Sequence, residues 1–180
     1  MMLITVIVQA IGCLLLVDFL SGLIHWLLDG YFREEWPIVG KWVVQPNSLH
    51  HRQPGAFLKN NWLESATGPL ALGIVVLLIA HWLHVRGWQM WLMFFLGINT
   101  NEIHKWAHRN PRVNGPLITF LQRIGILQSQ RHHAQHHRGR QDRFYCAVTN
   151  YLNPILESIR LWDVLDAFMV RGLRIRRRAE

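Results

Sequence analysis

Three apolar stretches constrain the fold of this chain more than any other feature of its sequence. Residues 3–28 and 66–85 are each almost uniformly apolar, and residues 88–99 follow as a third stretch after a short polar turn. About 20 helical residues cross the hydrocarbon core of a bilayer, so the first two stretches are long enough to span it. The helical pattern of the third stretch extends to His108. The sequence therefore predicts an all-α integral membrane bundle with about three transmembrane helices.

The rest of the chain predicts helices outside the bilayer core. Residues 33–63 are polar and contain three prolines, which indicates loops and short helices. Residues 117–127 are amphipathic and are expected at the membrane interface, and residues 155–170 predict a last helix. The tail, residues 171–180, carries five arginines and is expected either to contact anionic lipid headgroups or to be solvated. A length of 180 residues predicts a single domain, with its core at about residues 15–165.

The charge of the chain indicates its orientation. The formal net charge is +8 although 51% of the residues are hydrophobic, which disfavours a soluble nucleic-acid-binding protein. Four basic residues (Arg33, Lys41, Arg52 and Lys59) separate the first two apolar stretches, whereas Arg86 alone separates the second from the third. Lys and Arg gather on the cytoplasmic side of membranes, so we expect an outside N-terminus and a cytoplasmic C-terminus. The first stretch lacks the features of a cleaved signal peptide and is interpreted as a retained anchor.

Nine of the eleven histidines fall into three groups, which this orientation places on the cytoplasmic side. The groups are His25 with His50 and His51, then His104 and His108, then His132, His133, His136 and His137. Helical residues four apart share a face, so His104 and His108 can bind one metal ion, and a helix would place the last three histidines on one face. Imidazole suits iron, zinc, copper and nickel. So many histidines exceed the four ligands of a single zinc ion and suggest two ions. A histidine-rich loop that only meets lipid phosphates is the alternative.

Two acidic residues share a helical face with His25. Asp18 interrupts the first apolar stretch, where an ionisable group is costly unless it is paired, and Asp29 follows His25 by four residues. One interpretation is that Asp18 or Asp29 orients a histidine ring from behind a metal site. The alternatives are a helix-packing hydrogen bond for Asp18 and a simple surface charge for Asp29.

These motifs occur in an order that resembles the Kua, or plasmanylethanolamine desaturase, family of membrane lipid desaturases. The resemblance covers about residues 15–165. The matching segments are Asp18-Phe-Leu-Ser-Gly-Leu-Ile-His25-Trp-Leu-Leu-Asp29, Pro37-Ile-Val-Gly-Lys41, His50-His51-Arg-Gln-Pro54, Asn101-Glu-Ile-His104-Lys-Trp-Ala-His108, Arg131-His-His-Ala-Gln-His-His137, and Tyr145-Cys-Ala-Val-Thr with Asn153.

The resemblance implies an oxygen-dependent desaturase with a histidine-ligated di-iron centre and molecular oxygen as co-substrate. The double bond would enter an alkyl or acyl chain of a phospholipid, for example in converting a plasmanyl lipid to a plasmenyl (vinyl ether) lipid. The metal ligands it implies are His25, His50, His51, His104, His108, His133, His136 and His137. Four further residues would either bind metal or orient a ligand through a hydrogen bond. They are His132, Asp18, Asp29 and Asn101.

Two other functions are compatible with the same residues. A lipid hydroxylase would use the same metal centre, because the outcome depends on small differences in substrate placement. A non-catalytic metal- or lipid-binding membrane protein is the second alternative, and zinc in a purified sample would not separate it from an enzyme, since imidazole binds several metals. The basic cytoplasmic face would suit an acidic electron donor of the cytochrome b5 or ferredoxin type, although anionic lipid explains that charge equally well.

Overall fold

The computed structural model describes residues 1–138 and 140–178, which form helices and turns without a β-strand. The prediction of an all-α chain is thereby confirmed. The α-helices are α1 (Met2–Gly30), α2 (Gln45–Arg52), α3 (Pro54–Phe57), α4 (Trp62–Trp82), α5 (Trp88–Ile98), α6 (Thr100–His108), α7 (Gly115–Arg123), α8 (Gln130–His133), α9 (Leu152–Ser158) and α10 (Leu161–Ala167). Two short π-helices cover Gly40–Val44 and Phe168–Gly172.

Two helices of the described chain are long and apolar enough to cross a membrane. They are α1, with 29 residues, and α4, with 21 residues. α5 packs against both, but its 11 residues extend about 16 Å, roughly half the thickness of a bilayer core. The helix expected to run on to His108 is interrupted at Asn99, whose side chain accepts a hydrogen bond from Trp62 Nε1 at 2.9 Å. A third membrane-spanning segment therefore remains a prediction.

The helix predicted over residues 155–170 is in fact broken. α9 ends at Ser158, and Arg160 adopts a left-handed backbone with φ of 54° before α10 begins. The break has a packing reason, because Leu156 and Trp162 are both buried. Residues six apart point to different sides of a continuous helix, so both side chains reach the core only if the chain turns between them.

Asp18 holds an irregular segment, residues 144–149, against α1. Its two carboxylate oxygens accept hydrogen bonds from the Val148 N–H at 2.8 Å and from the Thr149 hydroxyl at 2.6 Å. Asn153 pairs with both backbone groups of Cys146, at 3.0 and 2.8 Å. These side chains supply partners that buried, non-helical backbone requires. Asp18 thus makes the packing hydrogen bonds that were the alternative to orienting a histidine ring. Both of these hydrogen bonds come from residues 148 and 149 and neither comes from a histidine.

Gly22 lets this segment approach α1 closely, and we expect Gly22→Ala to destabilise the fold by about 1–3 kcal/mol. An added Cβ would lie 2.7 Å from the Cys146 Sγ and 3.0 Å from its backbone nitrogen, so the segment would have to move. The measurement is thermal unfolding in detergent. Gly12→Ala is the matched control on the same helix, since its Cβ would meet nothing within 4 Å. Equal melting temperatures for both variants would contradict the close packing.

The basic C-terminal segment folds back over the end of α1. The Arg178 N–H donates to the Gly30 carbonyl at 2.6 Å, and Arg177 forms an ion pair of 2.9 Å with Asp166. Asp166 also accepts hydrogen bonds from Trp26 and Tyr31, both on or next to α1. The tail is thus partly packed against the protein rather than fully solvated, and its last two residues lie outside the described part of the chain.

Candidate metal centre

All eight histidines predicted as ligands converge on two adjacent clusters near the ends of α1, α2, α6 and α8. Cluster one consists of His50, His104, His108, His133 and His137. Cluster two consists of His25, Asp29, His51 and His136. Within each cluster one potential ligand atom from every residue lies within 4.8 Å of the others.

Cluster one has the spacing of imidazoles around a metal ion. The Nε2 atom of His104 lies 2.8 Å from that of His133 and 3.2 Å from that of His108. The His133 and His137 Nε2 atoms are 3.0 Å apart, and the His50 ring centroid is 4.7 Å from that of His104. Nitrogens bound to one ion at about 2.1 Å stand about 3 Å apart when they are neighbours, so these positions suit one ion.

Cluster two combines three imidazoles with a carboxylate. Asp29 Oδ1 lies 3.0 Å from His51 Nε2, and Oδ2 lies 3.5 Å from the Nε2 atoms of both His25 and His136. The side-chain amide of Asn47 donates to Asp29 Oδ1 at 2.6 Å and fixes its orientation. Asp29 was considered as a residue that orients a ligand without binding metal. Its carboxylate instead lies within the group of candidate ligand atoms.

Backbone carbonyls orient two rings of cluster two. The Nδ1 atom of His25 lies 3.2 Å from the Tyr145 carbonyl oxygen, and that of His136 lies 2.6 Å from the Arg143 carbonyl oxygen. A ring that donates its Nδ1 proton to a carbonyl presents an unprotonated Nε2 on the opposite side. Both rings therefore point a lone pair towards the cluster.

Several buried polar atoms of the clusters have no hydrogen-bond partner among residues 1–138 and 140–178, and bound metal ions would satisfy most of these atoms. They include Nε2 of His136, Oδ2 of Asp29 and both ring nitrogens of His50, of which one would bind the metal while the other carries the proton. A buried polar group without a partner costs about 1–3 kcal/mol, so such a concentration of them in one place needs an explanation. Because imidazole and carboxylate are good ligands for divalent transition metals, the residues fit bound metal ions.

Comparison with known proteins agrees with this geometry. A family model described as the lipid desaturase domain matches residues 14–180. The chain belongs to the lipid desaturase family. It is 33% identical to a probable fatty acid desaturase of Acanthamoeba polyphaga mimivirus, over 93% of this chain and 86% of the viral protein. The family membership confirms the resemblance seen in the motifs.

Two further relatives of this lipid desaturase chain are longer than it is. It is 30% identical to plasmanylethanolamine desaturase 1 of Mus musculus, over 93% of this chain and 66% of the mouse protein. It is 29% identical to plasmanylethanolamine desaturase of Myxococcus xanthus, over 84% of this chain and 56% of the bacterial protein. No solved structure matches the chain significantly.

The last histidine motif of this desaturase family member differs from its predicted form. α8 ends at His133, and the chain continues in turns through His136 and His137, so the three imidazoles do not share a helical face. His133 and His137 join cluster one, whereas His136 joins cluster two. The turns separate side chains that a continuous helix would have aligned.

Other candidate residues lie outside the two clusters. His132 Nε2 contacts the amide of Asn153 at 3.3 Å, and the Asn101 amide donates to the Ser65 carbonyl at 2.8 Å. Sequence reasoning missed the buried Lys105, which pairs with Glu102 at 2.5 Å and donates to the Asn60 carbonyl at 3.0 Å. The position of Lys105 inside the second histidine motif was the available signal, since a buried charge needs a partner.

Burial keeps the cluster-one histidines neutral. It lowers the pKa of His50, His104 and His133 well below the ordinary value of 6.5, and neighbouring imidazoles lower each pKa further. Burial, followed by repulsion from His136 and His51, lowers the pKa of His108 to about 4. Neutral imidazole is the form that binds metal, so the site is ready for an ion at neutral pH.

The same shifts predict that the metal-free protein loses stability as the pH falls below about 6.5. Unfolded histidines take up protons near that pH, whereas the folded chain keeps His108 neutral down to about 4. The unfolded state then binds more protons, which favours unfolding as the pH decreases. Melting temperatures of metal-free protein in detergent between about pH 8 and pH 5 measure this. We expect a shallower decline for His108→Gln, and an unchanged melting temperature of the native chain would contradict the neutral cluster.

Proposed function

We propose that this protein uses molecular oxygen to introduce a double bond into an alkyl or acyl chain of a membrane phospholipid. The observation that carries the proposal is the pair of adjacent metal-binding clusters beside two helices of membrane-spanning length. The mouse and Myxococcus relatives are named plasmanylethanolamine desaturases, which favours conversion of a plasmanyl lipid to its vinyl ether. Membership of the desaturase family supports desaturation over hydroxylation or simple lipid binding.

We further propose that the centre holds two iron ions, one in each cluster. No protein side chain can remove hydrogen from an unactivated C–H bond, so a metal cofactor must supply the oxidising power together with oxygen. In the overall reaction, oxygen takes two hydrogens from adjacent carbons. Two electrons and two protons complete its reduction to two water molecules. The electrons would come from an external donor of the cytochrome b5 or ferredoxin type.

The residues of the chain have three tasks in this proposal. Burial keeps the imidazoles neutral and available as ligands, and Asp29 contributes negative charge that offsets part of the charge of the cations. The apolar exposed faces of α1 and α4 contact lipid and hold the bundle in the membrane. The excess of Lys and Arg after the first apolar stretch supports a cytoplasmic location for both clusters. The proposal also includes a single domain in which α5 contributes a third, shorter membrane segment.

The test is lipid mass spectrometry of cells that express the native chain and are supplied with an alkyl-ether phospholipid. We expect a product that has lost two hydrogens, and acid lability of that product identifies a vinyl ether. The matched inactive chain carries His104→Ala and His136→Ala, one change in each cluster. A histidine-dependent gain of one oxygen would instead establish a hydroxylase, and identical lipids in both cultures, with a suitable donor co-expressed, would refute the proposal.

A further inference from the structure

A cavity of about 720 Å³ at the end of α1 is lined by both basic and apolar side chains. Its basic lining consists of Arg33, Arg176, Arg177 and Arg178. Its apolar lining includes Trp36, Met169 and Ile175. A lipid headgroup with its glycerol and chains also combines charged and apolar parts, so the lining is chemically complementary to it.

Two of the arginines are held in place by the protein. Arg177 donates to Asp166 Oδ2 at 2.9 Å and to the Tyr145 hydroxyl at 2.6 Å, and Arg178 donates to the Phe32 carbonyl at 3.2 Å. A guanidinium has five N–H donors, so each arginine retains donors for a ligand. Fixed guanidinium groups lose little freedom when they bind a phosphate, which increases affinity.

The other two arginines are exposed and available. The side chains of Arg33 and Arg176 form no ion pair or hydrogen bond with residues 1–138 or 140–178. Glu35 also lines the cavity and supplies a negative charge beside them. Three or four guanidinium groups and one carboxylate suit a headgroup that carries both a phosphate and an ammonium group.

Large apolar side chains are exposed in the two chain segments that contribute to the cavity lining. Trp36 is 43% exposed, Ile38 76% and Trp42 69% in the segment after α1, and Phe168 is 58% exposed next to the lining residue Met169. Exposed aromatic and aliphatic side chains near arginines in the sequence are typical of a membrane interface. This composition favours a lipid over a water-soluble ligand.

We propose that this cavity binds the phosphoethanolamine headgroup of the phospholipid substrate. The identification of that lipid as the substrate rests on the proposed function, whereas binding itself does not require turnover. The Arg177 guanidinium contacts Tyr145, whose ring centroid lies 5.2 Å from that of His136 and 5.9 Å from that of His25. A headgroup held by Arg177 is thus separated from cluster two by one side chain.

The experiment measures binding of dihexanoylphosphatidylethanolamine to the native 180-residue chain in detergent. We expect saturable binding to weaken at least about tenfold in the double variant Arg33→Ala/Arg176→Ala, since both substitutions remove charge-assisted hydrogen bonds to the phosphate. The control Arg112→Ala/Arg123→Ala removes two arginines that line a different surface cavity and leaves the affinity unchanged. Equal affinities for all three proteins, or equal losses in both variants, would overturn the site.

Three further arms identify the ligand. Dihexanoylglycerol, which lacks the phosphate, binds the native chain and the Arg33→Ala/Arg176→Ala variant equally if the arginines recognise phosphate. Inorganic phosphate that competes as strongly as the lipid would show a free-anion site and overturn the headgroup assignment. Glu35→Gln reduces the preference for the ethanolamine over the glycerol headgroup, and an unchanged preference would refute ammonium recognition.

The headgroup site and the proposed function can fail separately. Binding is measured without turnover, so a His104→Ala protein is expected to bind the short-chain lipid as the native chain does. Headgroup binding without any change in cellular lipids would refute desaturation and leave the site standing. Desaturation that does not depend on Arg33 and Arg176, in a protein that binds no short-chain lipid, would refute the site alone.

Discussion

Replacing His104 by alanine is expected to lower turnover by more than about a hundredfold. Residues that only orient a ligand typically change activity or metal affinity by 10–100-fold, and loss of a ligand exceeds that range. His104 is buried in the middle of cluster one, with the Nε2 atoms of His133 and His108 at 2.8 and 3.2 Å. Product formation in membranes supplied with iron and an electron donor measures the effect.

The control for this prediction is His81→Ala. His81 lies exposed at the far end of α4, away from both clusters, so we expect full activity. Metal analysis of the His104→Ala protein distinguishes the loss of a single ligand from misfolding, because a correctly folded variant retains the ion of cluster two. Full turnover by the His104→Ala protein would show that cluster one is not part of the catalytic centre.

Asp18→Ala is expected to destabilise the folded protein by about 2–5 kcal/mol. The substitution leaves the buried Val148 N–H and Thr149 hydroxyl without their partner, and each orphaned group costs about 1–3 kcal/mol. The effect reaches the metal centre because residues 144–149 include Tyr145, whose carbonyl orients His25. Thermal unfolding in detergent and metal retention after dialysis measure the two consequences.

Asp18→Asn is the matched substitution. Asparagine keeps an oxygen for the Val148 N–H, and the Thr149 hydroxyl can rotate to accept a hydrogen bond from the new amide. We expect the asparagine variant to retain most of the stability that alanine loses. If alanine and asparagine behaved alike, or if neither changed the melting temperature, the anchoring role of Asp18 would be contradicted.

The histidines of the two clusters could be identified from the sequence because they lie in short local patterns. His104 and His108 are four residues apart on α6, and His25 and Asp29 are four apart on α1, so each pair shares a face whatever the tertiary structure. The apolar stretches likewise predicted α1 and α4. These features depend on helical periodicity alone.

Long-range contacts and turns were not predictable in the same way. The partner of Asp18 lies 130 residues away, and the distribution of His133, His136 and His137 between two clusters depends on turns that helical spacing does not reveal. Arg177 reaches Tyr145 only because the C-terminal segment folds back. Sequence periodicity contains no information about such long-range contacts.

The most direct test of the central claim is the number of ferrous ions bound per chain. The native chain is purified in detergent, stripped of metal, loaded with ferrous iron without oxygen, and analysed for iron and protein. The account predicts two ions per native chain and one in the double variant Asp29→Ala/His136→Ala, which removes two ligands from cluster two. No more than one ion per native chain at saturating iron would contradict a two-iron centre.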